Sequence, residues 1–146
     1  MTIPVPEAGL VIRYSYLWHS EHLAGREEGQ KDRPCAIVVA VRRGEADETR
    51  VLVVPLTHSP PADSSDAVEI PTRIKEQLRL DAERSWLVVS EWNDFVWPGP
   101  DLRPVPGADP ASVAYGFLPP RFFNAVRQRF LEHTRKGGAR AVQRTE

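Results

Sequence analysis

The strongest pattern along the chain is a pair of short, continuously apolar runs set close together. Cys35–Arg43 carries Ile37, Val38, Val39 and Val41, and Arg50–Thr57 carries Val51, Leu52, Val53, Val54 and Leu56. Both are short and rich in β-branched residues, which predicts central strands covered on both faces. The charged segment between them, Gly44–Thr49, predicts an exposed turn, so the two runs form a hairpin. Pro55 has no N–H to offer a ladder, so the second strand should meet an edge or a bulge there.

Weaker patterns flank this pair. Leu10–Tyr16 has β-forming residues and follows Gly9, which predicts a first strand. Leu17–Gln30 is polar, with Gly25 and Gly29, and reads as a long loop of the kind that often carries function. After the Pro- and Ser-rich loop Ser59–Asp66, Val68–Ile70 reads as a short strand. Pro71–Arg79 reads as one or two helical turns, with Ile74 and Leu78 on one face and Thr72 as the cap. Ser85–Trp92 is a further strand, apolar from Trp86 through Val89. Pro98–Pro110 is irregular. Pro119–Arg135 is a long helix, with Phe122, Val126 and Phe130 at helical spacing and basic residues near its end, where they suit the helix dipole. Gly137-Gly138 stops it, and residues 137–146 read as a disordered tail.

The expected fold is therefore mainly β. Five or so short strands form a strongly bent sheet or barrel, with a short helix and a C-terminal α-helix packed on it, all in one domain over residues 1–136. Regular β/α alternation is missing, which argues against a Rossmann-type fold.

Composition narrows the setting. No apolar run is long enough to cross a bilayer, and Met1–Ala8 lacks the charged and apolar regions of a secretion signal, so no membrane role is expected. Cys35 is the single cysteine, which rules out an intrachain disulfide and suits a cytoplasmic location. The net charge of −1 hides an asymmetry: residues 1–120 carry 12 Lys+Arg and 18 Asp+Glu, and residues 121–146 carry 7 and 2. An acidic body with a basic end is consistent with nucleic acid or an acidic partner, and equally with a solvated helix face.

There is no glycine-rich phosphate loop and no nucleophile elbow. Cys35 adjoins a buried strand and reads as an inert core residue. His19, Glu21 and His22 lack a convincing further ligand for a metal. The strand ends are richer. Arg33 precedes the first buried strand, and Thr57, His58 and Ser59 close the second. In a hairpin these ends are neighbours, which places a cation and two hydroxyls near the Leu17–Gln30 loop. Such a set suits a phosphodiester: a guanidinium neutralises a developing phosphorane charge, and hydroxyls donate to its oxygens. The same residues also suit a structural role, with Arg33 paired to Asp32 or a glutamate and Thr57 and Ser59 in turn bonds.

Gly29-x-Lys31-Asp32-Arg33-Pro34-Cys35-Ala36-Ile37-Val38-Val39, then Val51–Thr57, then Leu80 to Ser85-Trp86-Leu87, resembles the MazF/PemK (Kid) family of toxin–antitoxin ribonucleases. Gly9-Leu10-Val11-Ile12 resembles that family's first strand, and the likeness runs from Gly9 to Asp94. The resemblance implies an SH3-like barrel with added helices, usually a homodimer. It implies an endoribonuclease toxin, a growth inhibitor that cuts single-stranded RNA. The cut needs no metal or other cofactor and leaves a 2′,3′-cyclic phosphate, and a cognate antitoxin restrains the enzyme. Carried across, the catalytic arginine falls on Arg33, as stabilising cation or general acid, and the catalytic threonine on Thr57. The following hydroxyl falls on Ser59 and the later acidic residue on Glu91. His58, Lys31 and Asn93 beside these positions complete the expected RNA-contacting set.

The pattern also departs from the family. Val89 stands where several members have an arginine, Arg84 and Arg103 being possible substitutes. Glu7-Ala8-Gly9 replaces the usual opening, and Trp92–Pro120 has no counterpart. Trp92, Phe95 and Trp97 could stack bases, but so many tryptophans in a small domain more often pack. The departures keep a second reading open: a non-catalytic relative that binds nucleic acid, an antitoxin or DNA gyrase. A metal-dependent hydrolase built on His19, Glu21 and His22 is the third.

Overall fold

The computed structural model describes residues 3–25, 29, 31–44, 48–137 and 140–144. The expected hairpin is its spine. β2 (Arg33–Arg43) and β3 (Glu48–Thr57) pair antiparallel from Cys35↔Pro55 out to Arg43↔Glu48. Residues 45–47, within the expected turn, lie outside the described residues. β1 (Leu10–Tyr14) pairs with β2, and β7 (Ala114–Phe117) pairs with β1. On the far side of β3 lie β5 (Trp86–Val88) and β6 (Glu91–Val96), while β4 (Ala67–Glu69) pairs with β5. β8 (Arg140–Gln143) adds to β6 in parallel. Among the described residues the sheet has eight strands and is not closed.

The middle of each hairpin strand is continuously apolar because the sheet separates two cores. Ala36, Val38, Val54 and Leu56 enter the core that α2 (Thr72–Gln77) and α3 (Pro120–Lys136) cover. Cys35, Ile37, Val51 and Val53 enter the other, with Tyr14, Tyr16 and Phe95. Pro55 sits where the neighbour of β3 changes. Three residues back along β3, from Leu56 to Val53, correspond to six along the opposing chain, from Leu87 to Asn93. That chain therefore buckles out opposite the residue that has no N–H to give it. The single strand expected over Ser85–Trp92 is for this reason two strands, the second running on to Val96.

Other expectations need correction. α1 (His19–Leu23) interrupts the loop expected over Leu17–Gln30, of which 26–28 and 30 lie outside the described residues; Glu21 Oε1 accepts from Trp18 N at 3.1 Å. Thr72 does not cap α2: it is the first helical residue, after Pro71. β7 was not expected; it is an edge strand interrupted by Gly116, at φ 134°. α3 ends as expected, with Gly137 left-handed at φ 69°; Gly138 lies outside the described residues. Residues 140–144 are not a loose tail. β8 pairs with Glu91–Asp94, Val142 is buried, and Arg144 reaches the second core. Among the described residues, no helix is long and apolar enough to cross a membrane.

Candidate functional site

The neighbouring ends of β2 and β3 open onto a cavity of about 610 Å³. Its floor includes Leu56 and Leu78, from the first core, and the irregular segment 105–110 forms one wall. Arg13, Lys31, Arg33 and Arg79 bring four cations to it, against Asp32, Asp81 and Asp109. Two of these carboxylates turn to other partners. Asp81 lies 3.0 Å from His58 Nε2, and Asp32 lies 3.6 Å from Arg103 Nε. Among the described residues, Lys31 and Arg79 make no ion pair or side-chain hydrogen bond. The balance left in the cavity is cationic, which draws anions.

Arg33 is half-buried at the start of β2. One terminal nitrogen, Nη1, donates to Leu56 O at 3.1 Å, and its guanidinium carbon lies 4.9 Å from the centre of the Trp18 ring. Its Nε is buried without a hydrogen-bond partner. Ser85 Oγ, in the same cavity wall, is also buried and unpartnered. Buried donors are almost always satisfied in folded proteins, so these two polar atoms on residues lining one cavity set it apart as a candidate site.

Thr57 does not line this cavity. Leu56 and His58 do, and strand alternation turns Thr57 to the opposite face. Its hydroxyl accepts from Ser59 N at 3.2 Å, and Ser59 is exposed. The structure thus joins Arg33, Lys31 and His58 around one space and leaves Thr57 and Ser59 in a turn beside it.

Glu91 and Asn93 are remote from the cavity lining but bear on it. Asn93, fully buried, accepts from Leu17 N at 3.0 Å and donates to Leu17 O at 2.8 Å. Glu91 Oε1 accepts from His19 N at 3.0 Å and from the Tyr16 hydroxyl at 3.1 Å. Together they clamp the backbone on either side of Trp18, the platform under Arg33, so both act as positioning groups. Burial holds the Glu91 carboxyl above the usual glutamate range, and its hydrogen bonds oppose this.

Several candidates resolve into packing. Burial pushes the Cys35 thiol far above its ordinary value, which leaves it inert. Phe95 stacks on Tyr14 and Trp97, and Trp92 packs edge-on against Phe130, so the aromatic cluster anchors the second core and α3. Val89 is fully buried. Neither suggested substitute for an arginine there reaches the cavity lining: Arg84 grips Glu69, and Arg103 bonds Pro100 O. Arg13 and Arg79 supply the charge instead. Sequence reading passed over both, because one lies on a strand and the other beyond a helix.

Among the described residues, the grouping that could hold a metal is the exposed set His58, Asp81 and Glu83, whose ligand atoms lie within 4.8 Å of one another. His19, Glu21 and His22 form no such group. Comparison with protein-family models, curated proteins and solved structures finds no match for this chain.

Proposed function

We propose that the chain is a metal-independent endoribonuclease of the MazF/PemK (Kid) type, cutting single-stranded RNA in this cavity. The observation that carries the reading is Arg33: a preorganised guanidinium with a free buried Nε, on an aromatic platform, facing a cation-rich space. In the reaction the substrate's 2′-oxygen bonds to the adjacent phosphorus and the bond to the 5′-oxygen breaks. A 2′,3′-cyclic phosphate and a 5′-hydroxyl result. Arg33 stabilises the phosphorane's negative charge. In this reading His58, with Nε2 against Asp81 and Nδ1 3.5 Å from Glu83 Oε2, takes the 2′-hydroxyl proton from Nδ1's side, and water protonates the departing 5′-oxygen. The bent sheet would be an open variant of the SH3-like barrel. A cognate antitoxin, a homodimer and a cytoplasmic location belong to the same proposal.

Two observations favour a second reading, in which the chain binds but does not cut. Thr57 would have to leave its turn bond to Ser59 and change face to reach a phosphate held by Arg33. Val89, at a position where the family pattern has an arginine, is inside the core.

The deciding experiment is cleavage of single-stranded RNA in EDTA, wild type against Arg33→Ala, with folding followed by circular dichroism. The nuclease reading expects a cyclic-phosphate product and a loss of about 10²–10³-fold in the variant. RNA that is bound but never cut supports the second reading. Cleavage abolished by EDTA points to His58, Asp81 and Glu83 as a metal site and overturns the first.

A further inference from the structure

The segment Arg79–Ser85 carries two local costs that the fold does not repay. Arg79 follows α2 at the position where the chain turns left-handed, with φ 56°, the one non-glycine among the described residues with positive φ. Arg79 N bonds Glu76 O at 3.2 Å and Leu80 N bonds Lys75 O at 2.9 Å, the pair of bonds that ends a helix and ordinarily selects glycine between them. An arginine there is strained, and its side chain recovers no ion pair or hydrogen bond from the described residues. Ser85, at the other end of the segment, is 1% exposed, and its hydroxyl has no partner. Both residues line the cavity that holds Arg33.

The segment is also held rigid. Lys75 is buried, and its ammonium donates to Ala82 O at 3.3 Å and Glu83 O at 2.8 Å. Ser85 O accepts from Ile70 N at 2.9 Å. A strained, unpaired cation and an unsatisfied hydroxyl on one braced loop are the parts of a preorganised anion site. The braced backbone carries no ordering cost when the ligand arrives, and only the exposed Arg79 side chain has rotamer freedom to lose. Of the acidic groups lining the cavity, Asp81 is turned to His58 and Asp32 to Arg103, which leaves Asp109, on the 105–110 wall, against four cations.

We infer that Arg79 and Ser85 form a second phosphate-holding place in the cavity, distinct from Arg33. It grips the phosphate next to the one at Arg33 on a bound single strand. This rests on the reading of the cavity as an RNA site, and deepens it by making recognition at least two phosphates long. Arg79 supplies the charge, and the Ser85 hydroxyl donates to a phosphate oxygen that enters beside it.

The test is fluorescence-anisotropy binding of a single-stranded RNA and of the same-sequence single-stranded DNA, which has no 2′-hydroxyl and is not cut, over a range of salt. Inorganic pyrophosphate serves as competitor. The proteins are wild type, Arg79→Gly and Ser85→Ala, each followed by thermal melting. Arg79→Gly should melt higher, because glycine relieves the left-handed strain. It should nevertheless bind both strands about 10-fold more weakly whatever their sequence, with the slope of log affinity on log salt reduced by about one. Ser85→Ala should keep its melting temperature and bind severalfold more weakly. Pyrophosphate should compete less well against both variants. An Arg79→Gly protein that melts higher and binds DNA and pyrophosphate as wild type does overturns the inference, since Arg79 would then be strained for no ligand. Wild type that binds neither strand overturns it together with the reading of the cavity. Weakened DNA binding in Arg79→Gly, with RNA never cut by wild type, upholds the subsite and removes only the nuclease.

Discussion

Two arginines of this chain, Arg144 and Arg33, one buried and one half-buried, are treated in opposite ways. Arg144 is 5% exposed. It donates to Ser15 O at 2.8 Å and Asn93 Oδ1 at 3.0 Å, pairs with Asp101 Oδ2 at 3.1 Å, and lies over the Tyr14 ring. Its hydrogen bonds tie β8, β6, the end of β1 and the segment at Asp101 into one polar network inside the second core. Arg33 has one carbonyl and one aromatic face, and its Nε is left without a partner beside an open cavity. A satisfied guanidinium is a rivet, whereas one with a donor to spare is a candidate to meet a ligand. The difference teaches that burial of a charged side chain says little until its donors are followed to their acceptors.

The contrast is breakable by mutation. Arg144→Ala strands Asp101, which is only 7% exposed, and should cost about 3–5 kcal/mol in urea unfolding. Arg33→Ala should cost only about 1 kcal/mol by the same measurement, for one bond and one cation–π contact, while the proposed nuclease reading expects cleavage to fall by about 10²–10³-fold. Similar unfolding costs for the two variants would erase the distinction. Arg79→Gly sharpens it in the other direction, with stability expected to rise by about 1 kcal/mol as the left-handed strain is removed. The smallest effect concerns Glu91. Its carboxyl is raised by burial, so the folded state holds the proton to a higher pH than the unfolded chain does. Stability should therefore decline as pH rises from the ordinary glutamate range through the raised value. Glu91→Gln, which keeps an acceptor for His19 N and the Tyr16 hydroxyl, should flatten that slope in melting curves taken across the window. An unchanged slope would assign it to another group.

What could be read from the chain followed how local each signal is. The hairpin, the first strand and α3 were visible because apolar spacing, Pro119-Pro120 and Gly137 announce them within a few residues. The division of the Ser85–Trp92 run was hidden, since its cause is Pro55, on a different strand. β7 and β8 were hidden because a four-residue edge strand needs its partner to exist at all, and neither Ala114–Phe117 nor Arg140–Gln143 alternates clearly. Arg33, Lys31 and His58 were singled out and do share one cavity. Thr57 was singled out by the same hairpin argument and faces elsewhere, because neighbours along a strand point to opposite sides.

The order of apolar and polar residues alone determined that β2 and β3 are covered twice and that a basic amphipathic helix lies near the C-terminal end, because a run of β-branched residues or a 3.6-residue period has few stable settings. Only the tertiary structure decided which cations are rivets and which are free. The carbonyl that Arg144 reaches on Ser15 is 129 residues away, and the hydroxyl that Arg13 reaches on Tyr115 is 102 away. A guanidinium's role is set by acceptors that distant segments carry to it, and no local pattern around the arginine records whether they arrive.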